Sequence, residues 1–96
     1  LQVNLPARVF FYVKIRLFVK THCGWCDRAE SWLSQRGIVY ETINVSAHRE
    51  AFDEMVRLSG QTFAPVIEVD GKILADFGPE ELAVFWEKIS STQKAS

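Results

Sequence analysis

Two cysteines three positions apart, Cys23 and Cys26, are the only two in the 96 residues, and they stand where one hydrophobic period gives way to another. Ahead of them Val13, Ile15, Leu17 and Val19 share one parity, while Lys14, Arg16 and Lys20 take the other; that is the period of a β-strand. Behind them Cys26, Ala29, Trp32 and Leu33 make the apolar stripe of a helix over 24–36, with Gly37 as its stop. A strand that runs through a cysteine pair into a helix needs partners to cover both apolar faces. The chain is long enough for one small domain, and its 48% of apolar residues suffice for a single core.

The remaining segments supply those partners. Ile38–Asn44, rich in β-branched and aromatic residues, predicts a second strand. Ser46 is the expected N-cap of a second helix, in which Phe52, Met55, Val56 and Leu58 face inward and which Gly60 ends. Val66–Val69 and Lys72–Ala75 predict two strands joined at Asp70-Gly71, a dipeptide suited to a tight hairpin. Gly78-Pro79-Glu80-Glu81 opens a last helix, with proline in its first turn and two acids at its positive end. Leu82, Phe85, Trp86 and Ile89 form its buried face. The order is βαβαββα, an α/β domain with a four-stranded mixed sheet and helices on both faces, which is the thioredoxin-like fold in its smallest form. Residues 1–12, interrupted by Pro6, are set apart as an N-terminal extension or extra strand, 13–90 form the domain, and 91–96 are expected to fray.

The placement of the cysteines suggests their chemistry. Cys23 falls at or just before the first helical turn and Cys26 one turn in, so both sulfurs reach one side at disulfide distance. Unpaired N–H groups and the positive end of the helix dipole favour a thiolate there. Cys23 is therefore the expected nucleophile and the deeper Cys26 the resolving thiol. Gly24 lets the turn tighten, and Trp25 forms an apolar wall beside the sulfur. An inert structural disulfide is the bland alternative, but closing so short a loop adds little stability. A closed zinc site needs four ligands, and the chain adds only His22 and His48 to the pair. His22 is expected at the surface beside Cys23, and His48 on an exposed helix face.

Other function classes find little support. With 11 basic and 12 acidic residues the net charge is -1, without the footprint of a nucleic-acid binder. The apolar run Val9–Val19 is too short, and too interrupted by Lys14 and Arg16, to span a membrane. No pattern of a secretory leader is discernible. The chain opens on Leu1 rather than Met, so its natural N-terminus is expected to be missing or processed.

Lys20-Thr21-His22-Cys23-Gly24-Trp25-Cys26 resembles the K-x-x-C-x-x-C signature of glutaredoxins. Phe63-Ala64-Pro65-Val66 is similar to that family's T-V-P segment, whose proline is cis, and Val69-Asp70-Gly71-Lys72 matches its hairpin. The resemblance covers about residues 13–90 and implies the same fold and a thiol–disulfide oxidoreductase. It further implies that Lys20 and Gln61 meet the glycine carboxylate of glutathione. Ala64, before a cis Pro65, would present its backbone to a bound peptide as an added strand does, and Pro65 would keep a metal off the site. The chain departs from the family before its last helix. The G-G-x-D-D run that holds the γ-glutamyl amine is absent, with Asp76 nearby as a partial substitute. Phe77-Gly78-Pro79-Glu80 instead resembles the G-F-R-P-D/E run of glutaredoxin-like redoxins, which serve ribonucleotide reductase and draw electrons from thioredoxin reductase. Phe77 is either core or a wall of the substrate groove.

The expectation is thus a monomeric, cytoplasmic dithiol oxidoreductase without a bound cofactor or metal, acting on disulfide-containing proteins and mixed disulfides with glutathione as cosubstrate. Two alternatives stand beside it. One is a redoxin reduced by thioredoxin reductase that donates to ribonucleotide reductase; the other is a dimer that binds an iron–sulfur cluster.

Overall fold

The computed structural model describes residues 14–95. The expectation for residues 1–12 lies outside the described residues. Seven elements follow in the anticipated order: β1 Ile15–Val19, α1 Gly24–Gln35, β2 Glu41–Asn44, α2 Arg49–Ser59, β3 Val66–Val69, β4 Lys72–Ala75 and α3 Pro79–Ala95. They form one four-stranded sheet in the order β2-β1-β3-β4. β1 and β2 are parallel, which requires the crossover that α1 provides, while β1–β3 and β3–β4 are antiparallel.

The helices divide between the two faces. Ile15, Leu17, Val19, Ile67 and Val69 pack with Ala29 and Leu33 of α1 and with Leu82, Trp86 and Ile89 of α3. The rings of Trp32 and Trp86 join those two helices at a centroid distance of 5.9 Å. On the opposite face Phe18 and Val66 pack with Met55 of α2. Phe18 thus breaks the simple alternation of β1. A central strand covered on both faces buries both parities, so Leu17-Phe18-Val19 is apolar throughout. Arg16 lies on the face of Phe18, its guanidinium 2.8 Å from Glu54 of α2 and 2.7 Å from Glu68 of β3.

Turn chemistry sets the boundaries. α1 ends in a Schellman arrangement: Gly37 has φ 69°, its N–H donates to Ser34 O, and the Ile38 N–H donates to Leu33 O. That exit delays the second strand. β2 begins at Glu41 rather than Ile38, because Ile38 and Tyr40 pack on the core before pairing starts at Arg16↔Glu41. Gly60, at φ 74°, closes α2 as expected, its N–H on Val56 O. Within α2, Met55 is fully buried and Phe52 and Leu58 pack against its cluster, whereas Val56 is only half-buried and outside it. Asp70 and Gly71 both take positive φ, 52° and 87°, as a two-residue hairpin of the favoured hand requires. α3 runs on to Ala95, past the Ser90 at which the sequence predicts fraying.

Ser46 does not cap α2. His48 stands at the N-cap position with no side-chain bond to the helix, and the Ser46 hydroxyl instead accepts the Thr21 N–H at 3.1 Å. Asn44 diverts it. Its Oδ1 accepts the Ser46 N–H at 2.8 Å in a tight side-chain turn, while its Nδ2 donates to Thr21 Oγ1 at 3.3 Å. The loop after β2 therefore braces the turn that leads into Cys23.

Candidate active site

The site gathers at the carboxyl end of β1. The antiparallel register Phe18↔Val66, continued one step, sets Pro65 level with Val19. The pairing Val66↔Ala75, continued likewise, sets Asp76 level with Pro65, and the Asp76 N–H donates to Pro65 O at 2.8 Å. Lys20, Ala64, Pro65 and Asp76 thus share one end of the sheet, from which Thr21 and His22 turn into α1. His22 is exposed and takes φ 59°, a left-handed turn residue immediately before the cysteine.

Cys23 is the N-cap residue of α1, with extended backbone angles. Its sulfur accepts the Cys26 N–H at 3.1 Å, and its carbonyl accepts the Asp27 N–H at 3.1 Å. One of the unpaired amides of the helix start is therefore aimed at sulfur, which favours negative charge there. Cys23 and Cys26 form a disulfide with Cα atoms 5.2 Å apart. The two ends differ in access: Cys26 is 1% exposed within the core, while Cys23 is only partly buried. An attacking thiol or thiolate reaches Cys23 first.

The expected walls occupy distinct settings. Trp25 is 55% exposed, with the Arg28 guanidinium 4.7 Å from its ring centroid. The Ala64–Pro65 bond is cis, as the resemblance implies; Pro65 is buried, and Ala64 packs against both halves of the core. Lys20 donates from Nζ to Thr62 O at 2.8 Å and lies 5.8 Å from the centroid of Phe52. Gln61 clamps the same loop: it donates to Phe63 O at 3.0 Å and accepts the Phe63 N–H at 2.6 Å. Both residues that the resemblance assigns to glutathione are engaged in shaping residues 61–63. Asp76 is exposed, with φ 54°. Phe77 is 3% exposed and belongs to the core cluster, so it is core rather than a groove wall.

Two features were not anticipated. Phe63 is 60% exposed and presents a second large apolar surface beside the cis proline. Its bulk in an otherwise small-residue turn was the available signal. The links from Asn44 and Ser46 to Thr21 carried no such signal, because they join residues more than twenty positions apart. Among the described residues no group of three or more histidine, cysteine, aspartate or glutamate side chains could hold a metal ion.

Comparisons with known proteins agree with this geometry. A glutaredoxin-like 8.6 kDa protein from the rubredoxin operon of Clostridium pasteurianum is 31% identical over 74 residues, which are 77% of this chain and 99% of that one. A glutaredoxin-like protein NrdH of Lactococcus lactis is 30% identical over 69 residues, 72% of this chain and 94% of its own. The crystal structure of a thioredoxin-like protein superposes with a TM-score of 0.68 at 23% identity, covering 73% of this chain and 96% of the other, and so shares its fold. The family model described as Glutaredoxin matches residues 15–74, which take in the cysteine pair, the cis proline and the hairpin. The chain belongs to the glutaredoxin family.

Proposed function

We propose that the chain is a dithiol oxidoreductase that reduces protein disulfides and glutathione mixed disulfides, with Cys23 as nucleophile and Cys26 as resolving thiol. The observation that carries this reading is the asymmetry of the pair: Cys23 caps a helix with an amide aimed at its sulfur and is partly exposed, while Cys26 is buried one turn away. In the reduced protein the Cys23 thiolate attacks a substrate disulfide. A new S–S bond forms, the substrate S–S bond breaks, and one substrate thiolate leaves. The Cys26 thiolate then attacks Cys23 sulfur, expels the second substrate thiolate and closes the Cys23–Cys26 disulfide. Two electrons pass to the substrate, and an external thiol reductant restores the pair.

Glutathione is the first reading for that reductant. Lys20 supports it: its ammonium donates to the Thr62 carbonyl at 2.8 Å, and an ammonium carries three donors. Its place at the sheet end suits an incoming carboxylate. A specific observation favours a second reading, reduction by thioredoxin reductase with ribonucleotide reductase as acceptor. The segment before α3 is closed on itself, with Phe77 in the core and the Gly78 N–H on the Glu81 carboxylate at 2.9 Å. In either case the protein works as a monomer in the cytoplasm, with no bound cofactor. No helix among the described residues is long and apolar enough to cross a membrane.

The two readings separate in one assay. NADPH oxidation is followed with glutathione and glutathione reductase on a small mixed disulfide, and separately with thioredoxin reductase on a protein disulfide. Turnover in the first supports glutathione. Turnover in the second alone overturns it and supports the redoxin reading. Turnover in neither contradicts both.

A further inference from the structure

Gly78 is the one glycine whose missing side chain is demanded by space. A Cβ placed on it would lie 2.9 Å from Cζ3 and 3.4 Å from Cε3 of the Trp25 indole, and 3.2 Å from the Glu81 Oε1 that caps it. Gly24, inside the cysteine motif itself, has nothing within 4 Å, and the other three glycines answer to a positive φ. Gly78 is also unable to retreat. Phe77 before it is fixed in the core, its N–H is held by Glu81 Oε1, its carbonyl accepts the Leu82 N–H at 3.0 Å, and Pro79 after it has a locked φ. From the other side the Arg28 guanidinium lies over the indole. The ring is therefore seated between α1 and the start of α3, although it is more than half exposed.

We propose that Gly78 is a positioning residue for disulfide exchange, which by lacking a side chain seats the Trp25 indole beside Cys23 and so fixes the apolar wall that a protein substrate must meet. This rests on the exchange chemistry proposed above. A folded protein docking at Cys23 is expected to cover the exposed indole two positions on, whereas a small disulfide is not. Gly78→Ala should therefore act mainly on protein substrates, with its effect on turnover carried by Trp25 and any effect of the crowded Glu81 cap read as stability.

The test combines a spectrum with a double-mutant cycle. Indole N–H resonances are recorded for the wild type and Gly78→Ala, with the Trp25 signal assigned by Trp25→Phe. Insulin and a small mixed disulfide are then reduced by the wild type, Gly78→Ala, Trp25→Ala and the double variant. The expected result is a shift of the Trp25 resonance with Trp32 and Trp86 unmoved, and a several-fold rise in KM for insulin with little change for the small disulfide. In the Trp25→Ala background, adding Gly78→Ala should do nothing further. An unmoved Trp25 resonance, or the same fold-loss in both backgrounds, overturns the inference. If Gly78→Ala fails to fold, recovery of folding in the double variant supports the contact, and failure there overturns it. A wild type that reduces neither substrate removes the proposed function and this inference together; an active wild type with additive variants removes this inference alone.

Discussion

Cys23 and Cys26 sit one helical turn apart on one side, and their unequal burial was legible from the stripe Cys26, Ala29 and Leu33: Cys23 caps the helix ahead of that stripe, while Cys26 begins it. Other residues at the site were legible only as types. Lys20 and Gln61 were read as ligand contacts, but their bonds to Thr62 and Phe63 depend on a loop some forty residues from Lys20 that no local pattern describes. Gln61→Ala should lower stability by about 1 kcal/mol, because it leaves the Phe63 amide without its acceptor. If its role is to shape the loop, turnover should weaken with either reductant alike; a loss confined to glutathione would support Gln61 as a ligand contact. Ser46→Ala removes the acceptor of the Thr21 N–H and should cost about 0.5–1.5 kcal/mol in urea unfolding. Ser46 read as an N-cap predicts instead a loss of helix α2, and helical ellipticity distinguishes the two.

At the scale of elements, β3, β4 and the hairpin between them were legible to the residue, because a turn dipeptide with two positive φ values fixes register on both sides. β2 was not, because Ile38, in the Schellman exit of α1, and Tyr40 after it pack on the core without joining the sheet. The Asn44 turn likewise displaced the expected cap, since a side chain that bonds its own backbone competes with a helix start. Gly37→Ala places a Cβ on a left-handed residue and should destabilise the protein by about 1 kcal/mol, measured by thermal or urea unfolding. Glu81→Ala removes the carboxylate that holds the Gly78 amide at the N-terminus of α3. A loss of about 0.5–1 kcal/mol is expected, as for one half of a capping box. Glu81→Gln should recover part of it, since an amide oxygen still accepts the bond.

Across the whole molecule the sheet separates two cores, and the site lies where both meet Ala64 at the end of the central strands. The α2 side also carries charge. The Arg16 guanidinium holds the Glu54 carboxyl below its ordinary range, chiefly through their hydrogen bond. A carboxyl so lowered stabilises the fold at pH values above its unfolded range and loses that contribution as pH falls through its folded value. Glu54→Gln should therefore cost about 0.5–1 kcal/mol near pH 7, and close to nothing at about pH 2, in unfolding series at both pH values. Equal losses at both would place the effect in packing rather than charge. None of these contacts matters to function unless the cysteine pair exchanges with a partner disulfide in the order that its burial dictates. The direct measurement is to mix reduced Cys26→Ser and reduced Cys23→Ser variants with a protein disulfide and to identify the trapped adduct by mass spectrometry. The account predicts a mixed disulfide on Cys23 in the Cys26→Ser protein and none in the Cys23→Ser protein. An adduct on Cys26, or none in either variant, would contradict it.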